Sequence, residues 1–189
     1  MWRVLPLMGA LVMANAAHAQ QIYKDPDGRF SLQLPAGWAD RTADRSYHPE
    51  WGSEGKLIGR NGDGFCWIWV QTERKELLST DGLQRFRRAM ADMTVARQYF
   101  EDMQLITPSV TVDNIKAATI DGESALQVRY RDLAAKDSSP TNQAPLTRIA
   151  LFSAQPQRND LLWCTVVSSQ LDRVEPMVTA LFHSYRMTK

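Results

Sequence analysis

At 189 residues, 44% of them apolar, the chain is long enough to fold as one domain with its own core and no need of staples. Its 22 Lys and Arg stand against 21 Asp and Glu, and losing Arg3 with the N-terminal segment would bring the formal charge to about zero. Such a balance sets up no field to steer nucleic acid, anionic lipid or acidic substrates.

Arg3 opens a mostly apolar run from Val4 to Ala14, followed by small residues ending in Ala17-His18-Ala19. This is the pattern of a signal peptide over residues 1–19, cut before Gln20. The run falls short of the roughly 20 apolar residues a membrane-crossing helix needs, and no cysteine stands at the cut to carry a lipid. The expectation is therefore a single domain over 20–189, exported to the periplasm or beyond, without a stable membrane anchor.

The mature chain opens with strand, turn and strand in IYKDPDGRFSLQL, where Asp25-Pro26-Asp27-Gly28 has turn chemistry and Phe30, Leu32 and Leu34 alternate with polar residues. Pro35-Ala36-Gly37 ends the second strand. From Ala39 to Lys56 no period is visible, so this stretch reads as a long loop carrying Tyr47, His48 and Trp51. LIGR and GFCWIWV then form a hairpin through Asn61-Gly62-Asp63-Gly64. The clearest helix follows, with Leu83, Phe86, Met90, Met93, Ala96, Phe100 and Met103 on one stripe. Arg85, Arg87 and Arg88 read as its solvated face.

Strands resume with VDNIKAATI and ALQVRYRDL around Asp121-Gly122, then LTRIALFSA and LLWCTVVS around Pro156 to Asp160. In ALQVRYRDL, Gln127, Arg129 and Arg131 form a face toward water, which makes that strand peripheral. The segment AAKDSSPTNQAP between the hairpins reads as a surface loop. A last helix starts near Asp172, with Glu175 as a capping-box partner, and buries Val174, Met177, Val178 and Leu181.

Two segments are apolar on both faces. In Gly64–Gln71, Phe65, Trp67 and Trp69 oppose Cys66, Ile68 and Val70; in the second, Leu162, Cys164 and Val166 oppose Leu161, Trp163, Thr165 and Val167. Strands of that kind belong in the middle of a sheet covered on each side. The fold class that follows is α+β: an α/β/α sandwich with a largely antiparallel central sheet, flanked by the long helix and the C-terminal helix. Cys66 and Cys164, the only cysteines, are an even pair in an exported chain and are expected to form a disulfide.

The opening Tyr23, Gly28-Arg29-Phe30-Ser31, Leu32, Leu34 and Pro35-Ala36-Gly37-Trp38, with the ending Leu181-Phe182-His183-Ser184-Tyr185-Arg186, resembles PsbP-like proteins, a group that includes bacterial DcrB-like proteins. The resemblance covers about a fifth of the chain. It implies an α/β/α sandwich and a binding or assembly role without catalysis; fold alone does not fix function.

Catalytic signatures are sparse. No GxSxG, HExxH, P-loop or CxxC is present, and after signal removal only His48 and His183 remain. No cofactor or metal is expected: His48, Glu50 and Glu54, and separately Asp25 and Asp27, lack ligand spacing. The favoured expectation is an exported, non-catalytic binding or accessory module whose partner is another envelope protein, met through Tyr47, His48 and Trp51. The alternative is a small periplasmic hydrolase or ligand-processing enzyme using His48 with Asp40, Asp44, Glu50 or Glu54.

Overall fold

The structure is a computed structural model that describes residues 21–41, 45–48, 53–72, 80–102, 110–136 and 145–188. Strands β1 (Ile22–Lys24) and β2 (Phe30–Gln33) form the first hairpin, β3 (Ala39–Asp40) and β4 (Arg45–His48) follow, and β5 (Ser53–Asn61) and β6 (Gly64–Thr72) form the second hairpin. Helices α1 (Thr80–Ala91) and α2 (Met93–Asp102) come next. After them run β7 (Val110–Ile120), β8 (Glu123–Lys136), β9 (Pro145–Gln155), β10 (Arg158–Val167), α3 (Leu171–Ser184) and β11 (Arg186–Met187).

The main sheet has the order β3-β5-β6-β10-β9-β8-β7, with β4 also on β5, and every pairing is antiparallel. The two strands that are apolar on both faces are neighbours within it. β6 and β10 run side by side from Gly64 opposite Val166 to Thr72 opposite Arg158. One face packs Phe86, Ala89, Ala96, Tyr99 and Phe100 of α1 and α2 on Leu126, Val128, Phe152 and Leu161. The other packs Val174, Val178, Leu181 and Phe182 of α3 on Cys66, Ile68, Leu162 and Val166. β6 and β10 are buried on the α3 side, and on the other side Trp69 and Leu161 are buried while Phe65, Trp67 and Trp163 are half-buried, so neither face is polar.

Cys66 and Cys164 face each other across this pair and are joined by a disulfide, with Cα atoms 4.0 Å apart. Both lie in the α3-side core. The bond therefore staples the two central strands to each other.

Several sequence expectations are corrected. The single long helix is two: the Asp92 carboxylate accepts the Thr94 amide at 2.8 Å, which starts α2 afresh and turns the apolar stripe, so that Met93 is exposed while Tyr99 is buried. Ala39 to Lys56 is not one long loop, since β3 and β4 pair with β5. β10 begins at Arg158, so the turn before it is shorter than expected. Glu175 does not close a capping box; its carboxylate takes Arg129 Nη1 at 3.1 Å, so the polar face of β8 is partly covered by α3. The first hairpin pairs with β11 in a separate three-stranded sheet, β1-β2-β11, which covers the main sheet on the α3 side. The turn between β7 and β8 is as read, with Asp121 and Gly122 both at positive φ, the conformation a two-residue hairpin turn requires.

Candidate partner-binding face

Two groups of polar side chains are buried on the α3 side, and both tie the small sheet to the large one. Lys56 projects from β5 into the turn before β2 and bonds the Asp25 carboxylate and, at 3.1 Å, that of Asp27. Arg29 closes the same cluster: its Nε reaches Asp25 at 2.8 Å, its amide does so at 3.1 Å, and its Nη2 reaches Asp27 at 3.0 Å. Burial alone would raise the Asp25 carboxyl, but the hydrogen bonds from Arg29 and Lys56 overturn that and bring it down to about 2.

The second cluster joins β10 to the residue before β11. Arg158 donates from Nε and Nη2 to Asp160, each at 2.8 Å, and the Tyr185 hydroxyl donates to Asp160 Oδ1 at 2.5 Å. Burial and then the Asp160 charge push the Tyr185 hydroxyl well above its ordinary value. The ring of Tyr185 stacks on Phe30 of β2, with centroids 5.3 Å apart. Every charge in these two clusters is met by an opposite charge and by hydrogen bonds, which is the condition under which buried ions are tolerated. Their chemistry is spent on holding layers together.

The opposite face is different in kind. Trp67 lies opposite Trp163, and Phe65 opposite Thr165, which in turn faces Arg148 of β9 and then Tyr130 of β8. Trp69 bridges the other two indoles, 5.8 Å from Trp67 and 5.7 Å from Trp163 by ring centroid. Glycine at position 55 makes room for it, since a Cβ there would run into the Trp69 indole. The Arg148 guanidinium lies 5.1 Å over the Trp163 ring and forms an ion pair with Asp132 at 3.4 Å. Trp69 is buried, whereas Phe65, Trp67 and Trp163 are half-buried and Arg148 keeps a quarter of its side chain in solvent. Helices α1 and α2 stand over β7, β8 and β9.

Of the residues expected from sequence, Tyr47 and His48 fall in β4, opposite Glu54 and Ser53 of β5, and only their backbone is described. Trp51, Asp44 and Glu50 lie outside the described residues, as does the Glu54 side chain. Asp40 faces Gly59, six positions along β5 from the partner of His48, a separation of about 20 Å along a strand. His48 and Asp40 therefore start from opposite ends of the same edge. Among the described residues no group of three His, Cys, Asp or Glu is arranged to hold a metal, and no helix is long and apolar enough to cross a membrane.

The half-exposed aromatics of this face are not marked in the sequence, since Phe65, Trp67 and Trp163 follow the same alternation as the buried Trp69 and Leu161.

No family model and no curated protein matches the chain. Solved structures do resemble it. The solution structure of the cyanobacterial PsbP, CyanoP, from Synechocystis has a TM-score of 0.51 at 15% identity, over 92% of this chain and 96% of that one. The Ran-binding protein Mog1p of Saccharomyces cerevisiae has a TM-score of 0.51 at 9% identity, over 89% and 95%. At such identities the likeness concerns architecture, and the chain has the PsbP/Mog1-like fold.

Proposed function

We propose that this chain is an exported, non-catalytic binding or accessory module of the bacterial cell envelope, and that it engages another protein through the aromatic face of β6 and β10 together with Tyr47, His48 and Trp51. The observation that carries the reading is the half-buried set Phe65, Trp67 and Trp163, with Arg148 laid over an indole, on two strands stapled by a disulfide. Trp and Arg are the residue types that dominate binding energy at protein interfaces, and a rigid base lowers the entropy lost when they are covered. The buried disulfide suits an oxidising compartment, as does the signal-like N-terminus. Mog1p, described as Ran-binding, is a case of a protein-binding role on the same fold.

The test is crosslinked capture from a native envelope fraction, run with the chain from Gln20 and with Trp67→Ala and Trp51→Ala. A partner that the wild type retains and the variants lose by about tenfold or more, the scale of an aromatic hot spot, supports the reading. Equal recovery by all three would remove these residues from the interface.

A further inference from the structure

Leu83, Arg87 and Met90 follow one another at four and three residues and so share a ridge of α1, with Phe86 beside them set edge-on to Phe152 of β9 at 5.7 Å between centroids. This ridge is one wall of a cavity of about 270 Å³. The end of β9, at Ala154, and the start of β8, at Glu123 and Ser124, form the others. The floor is apolar, since Phe86 is buried and Leu83 and Met90 are half-buried. Arg87 and Glu123 are exposed and stand on different walls. Among the described residues neither side chain has an ion-pair or hydrogen-bond partner, and the two do not pair with each other. Arg85, by contrast, is paired with Asp102 of α2. The β8 wall is fixed: the Ser124 carbonyl accepts the Ser153 hydroxyl at 2.9 Å, and the Asp121 carboxylate accepts the Met187 amide at 2.8 Å. A wall already in place lowers the ordering cost of binding.

An occupant that satisfies all three surfaces carries an anion for Arg87, a cation for Glu123 and a small apolar group for the floor. The volume is just under that of ordinary small-molecule sites, roughly 300–1,000 Å³, so the occupant is small. A sphere of this volume is about 8 Å across, close to the reach of a carboxylate and an ammonium about 3 Å apart on one carbon, each with a hydrogen bond of about 2.8 Å beyond it. The end of a peptide brings one of these charges, whereas a free amino acid brings both.

We propose that this cavity binds a free α-amino acid with an aliphatic side chain, its carboxylate on Arg87, its ammonium on Glu123 and its side chain against Leu83, Phe86 and Met90. The site is apart from the aromatic face, since Ala154 pairs with Asn159, four positions along β10 from Trp163. Its failure would leave the binding-module reading standing.

The test uses the chain from Gln20 with 13C-labelled methionine methyls, the Met90 signal being assigned with Met90→Leu, and titrates L-leucine, leucinamide and 4-methylpentanoate. L-leucine should move the Met90 methyl saturably, and each analogue, which keeps one charge, should bind roughly three- to tenfold more weakly. Arg87→Gln should weaken leucine by the same factor and leave leucinamide unchanged; Glu123→Gln should weaken leucine and leave 4-methylpentanoate unchanged. Both positions are exposed, so both variants should keep the wild-type Tm. An unmoved Met90 methyl, an equal response to the three ligands, or wild-type affinity for leucine in either variant overturns the proposal.

Discussion

The two faces of the central sheet hold their buried polar groups in different company. On the α3 side, Asp25 and Asp160 are fully buried as charges, yet each accepts from two or more donors and neutralises a cation. On the α1 and α2 side the polar groups lie among aromatics: the Tyr130 hydroxyl meets Arg148 and Trp163, and the Arg148 guanidinium lies over an indole and pairs with Asp132. Satisfied buried groups of the first kind hold layers in register.

The largest effect expected concerns the staple between the faces. Reducing Cys66–Cys164, or replacing both residues with Ala, frees a loop of 98 residues and should lower the unfolding free energy by about 2–5 kcal/mol in urea titrations. Thiol titration of the unfolded chain should find no free thiol without reductant and two with it. A stability unchanged by reductant would mean that β6 and β10 hold together by packing alone.

A smaller effect sets the ionic clusters apart from the aromatic face by pH. Asp25 titrates near 3.8 when unfolded and near 2 when folded, so its contribution is complete above pH about 4 and disappears as pH falls through 2. The amount at stake is about 2 kcal/mol. Urea midpoints at pH 5, 3 and 2 would show it as a fall that is shallower in Asp25→Asn. Parallel slopes in the two proteins would deny the cluster its role.

The contrast was half legible in the sequence. Apolar residues on both faces of Phe65–Val70 and Leu161–Val167 marked these strands as central, and they run side by side in the sheet. Asp121-Gly122 marked its turn by the same local chemistry the backbone uses. Asp92 was passed over because a single polar residue within a helical stripe does not disclose whether its side chain caps the next turn. β3 and β4 carry no alternation, as edge strands often do not, so their pairing with β5 left no period to read. Lys56, Arg158 and Asp160 look like turn and surface residues until a partner 25 to 31 positions away comes alongside. The meeting of Tyr130, Arg148 and Trp163 was further out of reach, since they stand on three different strands.

Two tyrosines allow the sharpest test: both are fully buried, and the Tyr185 hydroxyl donates to a carboxylate whereas the Tyr130 hydroxyl meets Arg148 and Trp163. Tyr185→Phe takes a donor from a buried carboxylate and should lower the unfolding free energy by about 1.5 kcal/mol or more, while Tyr130→Phe should cost less, about 1 kcal/mol or below. Urea denaturation of the two variants beside the wild type decides the matter: a larger loss at Tyr185 is the predicted result, and equal losses at both positions would contradict the division between an ionically tied face and an aromatic one.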